Sequence, residues 1–142
     1  MAKGDNADAD KFTYEILENA TGKYVRLTGL TEEGKKAVEL TLPSDYDGIP
    51  VRTFAVGVFA GNETISKVVL PSTISTIYDG SFEGAKRLNA LVFEHDSVLA
   101  INMGQDFLKG ADNCYIYVKT GVSTVDCAGG WARYSERIRY YD

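Results

Sequence analysis

The sequence predicts a β-rich α+β solenoid, in which three repeats of about 23 residues stack into a right-handed superhelix. Two observations favour this class: a repeated pattern of apolar and glycine positions, and short runs of alternating apolar and polar residues between turn residues. The stretch 70–88, LPSTISTIYDGSFEGAKRL, sets the pattern. When the sequence is shifted by 23 residues, seven apolar or glycine positions match: Val51 and Ile74, Phe54 and Ile77, Phe59 and Phe82, Gly61 and Gly84, Ile65 and Leu88, Val68 and Leu91, and Leu70 and Phe93.

The other repeats depart from this period, but each keeps the apolar positions that are predicted to point inward. The first repeat begins with Leu40 and Leu42 pointing inward, and five extra residues, 45–49, form a predicted surface turn. In the third repeat the offset grows by single residues, to 25 at Phe107 and 26 at Gly110. Insertions of this kind map to loops along one edge of a repeat stack.

The segments outside the repeats are predicted to cap the stack. Residues 1–10 are polar and small and are interpreted as a disordered tail. Phe12, Tyr14 and Ile16 alternate with Thr13 and Glu15, which is the period of a half-buried strand. Residues 24–28 return as a second strand, so 12–28 form a hairpin cap. A polar loop, 29–36, leads to the repeats. We expect one domain, 11–142, with an N-terminal cap over 11–37, repeats over 38–118 and a C-terminal cap over 119–142.

Within the regular repeat, Pro71 ends a strand, and Ile74 and Ile77 make a second short extended piece. Asp79-Gly80-Ser81 turns the chain, and 82–85 fit one helical turn whose Phe82 fills the gap between layers. Residues 115–118 are predicted to be the last strand. Trp131, Tyr134 and Ile138 follow helical spacing, which predicts a short helix over the open end.

Composition limits the function classes. The chain has 142 residues, a net charge of −5 and a single histidine. The negative charge argues against a general affinity for nucleic acid or anionic lipid, and no apolar run approaches the roughly 18 residues needed to insert in a membrane. General bases and metal ligands are scarce, and no set of nucleophile, base and orienting group is recognisable. We therefore expect no enzyme activity, cofactor or metal.

Cys114 and Cys127 are the only cysteines. We expect both to be reduced and at least partly buried, and a disulfide across the last turn is the alternative. A catalytic or metal-binding role is disfavoured, because neither lies in a C-x-x-C motif or beside the histidine.

Four short motifs have the residue types of a functional site, and each has a simpler interpretation. His95 in Glu94-His95-Asp96 is expected in a solvated turn, since its neighbours point in different directions and a second histidine is lacking. Asp45 and Asp47 lack the further oxygen ligands of a calcium loop. Gly129-Gly130 is expected to be a hinge into the end cap, and 62–64 is a single glycosylation sequon.

The predicted sheet face opposite the core is the stronger candidate for binding. If Val68, Leu70, Leu91 and Phe93 point inward, the alternate positions point outward. Val69, Val92 and Tyr117 would then form an apolar stripe across three strands. The predicted partner-binding residues are Lys67, Val69, Val92, Glu94, Tyr115 and Tyr117. The alternatives are that β-branched residues simply suit strands, or that the loop 119–130 covers the tyrosines.

The run LPSTI with Ile77, Phe82, Gly84 and Leu88 resembles the BspA-like (Treponema-type) leucine-rich repeat. The opening FTYEIL…YVRLTGL, the insertion YDGIPVRTFAVGVFAG and the ending IYVKTGVSTVDCAGGWARYSERI are also similar to that family, so the resemblance covers roughly 12–140. Ala85 stands where the family often has cysteine. The resemblance implies a bacterial surface or secreted protein that contacts other proteins.

Two functions follow as hypotheses. The first is a non-enzymatic protein-binding or adhesion module at the cell surface. The second is a structural subunit of a larger assembly, which would suit the absence of a signal peptide at residues 1–10 and would place the chain inside the cell. The partner's identity and the oligomeric state are left open by the sequence.

Overall fold

The computed structural model describes residues 8–98, 101–123 and 129–142. The strands in this part of the chain are β1 Phe12–Asn19, β2 Gly22–Leu30, β3 Glu39–Thr41, β4 Asp45–Tyr46, β5 Ile49–Phe54, β6 Lys67–Leu70, β7 Thr76–Ile77, β8 Ala90–Phe93, β9 Asn102–Met103, β10 Tyr115–Lys119 and β11 Ile138–Tyr141. Two short α-helices, α1 Glu32–Lys36 and α2 Gly130–Arg133, and three 3-10 turns at Ala9–Lys11, Val56–Val58 and Ser135–Arg137 complete the described elements.

A parallel sheet forms one side of the molecule, in the order β11-β10-β8-β6-β3. Glu39 lies opposite Lys67, Lys67 opposite Ala90, Ala90 opposite Tyr115, and Ile116 opposite Ile138. These neighbours are therefore 28, 23, 25 and 22 residues apart in the chain. The parallel sheet that the sequence repeat predicts is confirmed, including the longer first step that the five extra residues cause.

A second, shorter ladder runs along another side of each repeat. β7 and β9 are parallel, with Ile77 opposite Met103. The Ser75 N–H donates to the carbonyl of Arg52 at 2.9 Å, and the Thr53 hydroxyl donates to the carbonyl of Thr76 at 2.9 Å, so β5 continues the ladder. The short extended piece predicted around Ile74 and Ile77 is thus confirmed.

Phenylalanine rings join the repeats through the core. Phe59 and Phe82 are stacked, with centroids 5.3 Å apart and planes 20° apart, and Phe107 meets Phe82 edge-on at 6.4 Å. All three rings are fully buried. The chain turns just after each ring at a glycine of positive φ, namely Gly61, Gly84 and Gly110. A side chain with a Cβ is strained in that conformation, which explains why glycine repeats together with phenylalanine.

The N-terminal hairpin belongs to a four-stranded sheet in the order β1-β2-β5-β4. β1 and β2 are antiparallel, as predicted, and β2 joins β5 in parallel. The sheet curls into a half-barrel, so that its two edge strands meet where Tyr14 on β1 stacks on Tyr46 on β4, with ring centroids 3.8 Å apart. Val25 and Leu27 on β2 are fully buried against the first repeat. The hairpin thus covers one end of the core.

Three expectations for the N-terminal region need correction. Phe12 is buried, but Tyr14 and Ile16 are 42% and 50% exposed, since β1 is an edge strand with a register shift after Thr13.

The predicted polar loop 29–36 contains α1. Its N-cap Thr31 accepts a hydrogen bond from the Gly34 N–H at 3.2 Å, and acidic residues precede basic ones along the helix, as the helix dipole favours.

Residues 8–10, predicted to belong to a disordered tail, contact the first repeat. An Asp8 carboxylate oxygen accepts a hydrogen bond from the Thr41 N–H at 2.7 Å, and the Tyr46 hydroxyl donates to the carbonyl of Ala9 at 2.6 Å. Both bonds satisfy polar groups at the edge of the stack. The remainder of the predicted tail, 1–7, lies outside the described residues.

The C-terminal cap also differs from the prediction. The helical spacing of Trp131, Tyr134 and Ile138 predicted a helix over the whole segment, whereas α2 ends at Arg133. Ile138 begins β11, which pairs in parallel with β10, so β10 is not the last strand. Backbone pairing with β10 satisfies the hydrogen-bonding groups of this segment, which a surface helix of one turn would leave half unpaired. None of the described helices is long and apolar enough to cross a bilayer.

Candidate functional site

The outer face of the parallel sheet carries the predicted stripe. Val69 lies opposite Val92, and Val92 lies opposite Tyr117. The row continues to Thr41 on β3 and to Arg139 on β11. Because directly paired residues point to the same side of a sheet, these five side chains stand on one face in one line. The three stripe residues Val69, Val92 and Tyr117 are half-buried. The residues that precede them on the same strands, Val68, Leu91 and Ile116, are fully buried.

A second row runs beside the stripe, through Glu39, Lys67, Ala90 and Tyr115. Tyr115 is 42% exposed. The Arg139 guanidinium lies over its ring, 4.5 Å from the centroid. An arginine over a tyrosine face is attracted by the electrons of the ring and holds it in place. Residues 124–128 of the loop that could cover the tyrosines lie outside the described residues, so that alternative stays a prediction.

Charged and hydroxyl groups border the other side of the stripe. Glu94 is exposed, and the Lys119 ammonium lies 3.0 Å from a carboxylate oxygen of Asp96. The pKa of Lys119 is raised, and the hydrogen bond to Asp96 is the largest cause of that rise. The Tyr141 hydroxyl donates to the carbonyl of Phe93 at 2.7 Å, and burial raises its pKa. Lys67, Val69, Val92, Glu94, Tyr115 and Tyr117 are thus brought together on one face. Their binding role stays a prediction.

The sequence prediction for this face does not include Arg139 and Tyr141, because helical spacing predicts a helix for their segment. A signal for the strand was present. Ile138 and Tyr140 alternate with Arg139 and Tyr141, which is the period of a strand, and the segment lies about one repeat after β10. The same alternation would have placed both missed side chains on the outer face.

His95 is buried, which corrects the prediction of a solvated turn. The residue is 4% exposed, and its ring packs on Phe93 with centroids 5.6 Å apart. It continues the inward alternation of Leu91 and Phe93 on β8, so its position follows from the strand period and not from its acidic neighbours. Desolvation by burial lowers the pKa of His95 below 6.5, and it outweighs the opposing effect of a hydrogen bond with Ile74.

Asp45 and Asp47 belong to the tight β4–β5 hairpin and not to a metal loop. Asp47 and Gly48 both have positive φ, 52° and 84°, as a two-residue type I′ turn requires. An Asp45 carboxylate oxygen accepts a hydrogen bond from the Gly48 N–H at 2.8 Å. The predicted surface turn at this insertion is confirmed. Among the described residues, no three His, Cys, Asp or Glu side chains are grouped so that they could hold a metal ion.

The sequon and the glycine pair have structural roles. The Asn62 side-chain oxygen accepts hydrogen bonds from the N–H groups of Thr64 and Ile65, at 2.8 and 2.9 Å, so the amide stabilises its own turn. Gly129, with φ 64°, turns the chain into α2, as a hinge requires. Gly130 is packed so tightly that a Cβ there would lie 2.5 Å from the Phe107 ring.

Cys114 is free and fully buried, and burial raises the pKa of its thiol to about 12. The prediction of a reduced, buried cysteine is therefore confirmed at this position. Because the thiolate is the reactive form, such a thiol is unreactive at neutral pH. Cys127 lies outside the described residues.

The parallel sheet built from offset repeats, with its ladder of turns, defines a fold of the leucine-rich repeat type. The structure is similar to the crystal structure of a leucine-rich repeat protein from Treponema pallidum, with a TM-score of 0.60. The two are 21% identical, and the likeness covers 82% of this chain and 53% of that one. The chain therefore spans about half the length of its structural neighbour. No family model matches the chain, and no curated protein matches it significantly.

Proposed function

We propose that this chain is a non-enzymatic protein-binding module, which engages its partner through the outer face of the parallel sheet. It forms one domain over 11–142, a right-handed solenoid of the BspA-like subtype closed by a cap at each end. The resemblance in the LPSTI repeat and the similarity in fold to a leucine-rich repeat protein support this proposal.

The observation that carries the proposal is the row formed by Val69, Val92 and Tyr117. Three apolar side chains stand in register on a sheet face, while the chain buries its core on the other side of the same strands. Apolar area bordered by polar groups is typical of partner sites. Tyrosine in particular gives a large contact area at a low cost in side-chain entropy.

Charged residues surround this row, as expected for the polar rim of a protein-binding site. Lys67 and Arg139 are positive, and Glu39 and Glu94 are negative, so the rim presents both charges to a partner. Rim charges contribute mostly to the association rate and to the choice of partner, whereas the central apolar residues contribute most of the affinity. We therefore place the energetic centre at Val92 and Tyr117.

Adhesion at a bacterial cell surface is the biological setting we propose, and it rests on the family resemblance. The alternative is a structural subunit of a larger assembly. In that case the same face would hold a neighbouring subunit, and the protein would be isolated from cells as part of a stoichiometric complex.

The proposal is tested with the double variant Val92→Ser/Tyr117→Ser. Partners captured from a host extract by the wild type are identified, purified and titrated against each variant by calorimetry. We expect the double variant to lose at least tenfold in affinity, with a melting temperature close to that of the wild type. The matched control is Lys86→Ser/Arg87→Ser, two exposed residues of a different turn, which should bind like the wild type.

Two results would count against the binding face. One is a double variant that melts far below the wild type, since the row would then belong to the core. The other is a double variant that binds as tightly as the wild type, since the partner would then use another surface.

A further inference from the structure

A polar groove lies between the tip of the N-terminal hairpin and the second ladder. Its volume is about 590 Å³, within the roughly 300–1,000 Å³ that small-molecule sites occupy. One wall of the groove is formed by Asn19, Thr21, Lys23 and Tyr24. The floor is formed by Pro50, Arg52 and Thr53, and the other wall by Ser75, Thr76 and Tyr78. These residues are distinct from those of the proposed partner-binding face.

The charges in this groove have one sign. Lys23 and Arg52 are the only ionised side chains that line it, and none of the lining residues is a carboxylate. Within the described part of the chain, neither cation lies within 4.0 Å of a carboxylate oxygen, although Glu18 is the cross-strand neighbour of Lys23. Arg52 makes one long hydrogen bond, 3.3 Å, to the carbonyl of Thr73, which leaves most of its N–H groups available. In a chain of net charge −5, such a lining favours an anionic ligand.

The walls are fixed by bonds that do not use these cations. The Asn19 side-chain oxygen accepts from the Thr21 N–H at 2.9 Å and from its hydroxyl at 2.7 Å, which closes the hairpin tip. The Thr53 hydroxyl donates a hydrogen bond to the carbonyl of Thr76. Within the described residues, the side chains of Tyr24, Ser75 and Tyr78 make no hydrogen bond to the chain. The scaffold is thus ordered before a ligand arrives, and polar groups remain for the ligand.

We propose that this groove binds an acidic oligosaccharide, that is, a sugar chain bearing carboxylate or sulfate groups. The two cations receive the anionic groups, and arginine suits carboxylate and sulfate because its fork of N–H donors matches their oxygens. The hydroxyl of Ser75 and the phenol groups of Tyr24 and Tyr78 provide the closely spaced polar contacts that a polyhydroxylated ligand needs. The faces of Tyr24 and Tyr78 offer flat apolar area to the C–H face of a sugar ring.

An acidic peptide is the competing ligand. An extended peptide is usually held by a free sheet edge and by apolar pockets for alternate side chains. The floor of this groove is instead a ladder that is already hydrogen-bonded, through Ser75 to Arg52. Nine of its ten lining residues are polar or charged when the two tyrosines are counted as polar, and Pro50 is the exception. The lining therefore favours the sugar.

The test titrates the wild-type chain with three hexasaccharides, from hyaluronan, polygalacturonate and heparin, and follows backbone amide shifts by NMR. We expect at least one to bind and to shift the amides of Lys23, Arg52 and Ser75. Arg52→Gln and Tyr78→Ala should each weaken binding about tenfold or more. The matched control Arg87→Gln, an exposed arginine of another turn, should bind like the wild type.

Two further probes separate the alternatives. A neutral chitin hexasaccharide should bind at least tenfold more weakly than the acidic sugar, because it lacks the charges. A deca-glutamate peptide should shift the groove amides less than the sugar does. The proposal is overturned if none of the three acidic sugars shifts these amides, if the peptide binds more tightly than all of them, or if Arg52→Gln and Lys23→Gln both bind like the wild type.

Discussion

The Nε2 atom of His95 lies 2.8 Å from the carbonyl oxygen of Ile74, on the preceding repeat. A carbonyl only accepts hydrogen bonds, so Nε2 carries the proton and Nδ1 presents a lone pair. Nδ1 is buried and has no hydrogen-bond partner within the described structure. Protonating this ring would therefore place a charged, unpaired N–H group in the core.

We predict that acidification destabilises the fold through His95. Burial lowers its pKa below 6.5 in the folded state, so the unfolded chain binds the proton more tightly. The free energy of unfolding should therefore be greatest above about pH 6.5 and should fall as the pH drops through that value. Urea midpoints measured between about pH 8 and pH 5.5 would report this change. His95→Gln keeps a donor but does not titrate, and as the chain has one histidine, its midpoints should be nearly constant over this range. Equal slopes for both proteins would contradict the assignment.

We predict that Phe82→Ala lowers the free energy of unfolding by about 3–5 kcal/mol. The ring is fully buried, is stacked on Phe59 and meets Phe107 edge-on, so its removal leaves a cavity between two repeats. Chemical denaturation gives the value. Val56→Ala, which truncates a partly exposed side chain, serves as the control and should stay within about 0.5 kcal/mol of the wild type. An unchanged midpoint for the Phe82 variant would disprove the stacking.

We predict that Gly130→Ala destabilises the C-terminal cap by about 1–3 kcal/mol or more. A Cβ at this position would lie 2.5 Å from the Phe107 ring and 2.6 Å from the carbonyl oxygen of Gly104, and backbone cannot move away cheaply. Gly57→Ala is the matched control, because an added Cβ there meets nothing within 4 Å. Thermal unfolding of the two variants should separate them clearly, and similar midpoints would show that the cap is loosely packed.

We predict that Cys114 resists thiol reagents in the folded protein. Its side chain is fully buried, and burial raises its pKa to about 12, so very little thiolate is present at pH 8. In a Cys127→Ser background, an aromatic disulfide reagent should release almost no colour until denaturant is added. Rapid reaction of the native protein would mean that the last repeat opens readily.

The repeat pattern allowed the core to be predicted from sequence because each inward position contacts its equivalent in the next repeat. Phe82 contacts both Phe59 and Phe107, so the three phenylalanines of successive repeats constrain one another through the middle ring. The outer stripe followed from the same columns, since strand alternation fixes what points outward once the inward residues are known. Val69, Val92 and Tyr117 were therefore aligned correctly without a structure.

The errors arose where distant pairing decided the outcome. Ile138 fits helical spacing with Trp131 and Tyr134, but its backbone pairs with β10, which no local pattern reveals. The prediction of a solvated turn for His95 rested on neighbours that point in different directions and on the lack of a second histidine, although the alternation from Leu91 through Phe93 pointed inward. The groove at Lys23 and Arg52 joins residues of three separate segments, so the sequence offered no signal for it.

The order of the parallel sheet also sets how the molecule should exchange its amide hydrogens with deuterated solvent. β10, β8 and β6 have hydrogen-bonded neighbours on both sides, whereas β3 and β11 lie at the two margins of the described sheet. In stacked repeats each unit is held mainly by its immediate neighbours, so opening proceeds from the ends. Protection should therefore be greatest in the middle repeat and decline towards Glu39 on one side and Tyr141 on the other. A ligand or partner that spans several strands would be visible as a rise in protection at these margins.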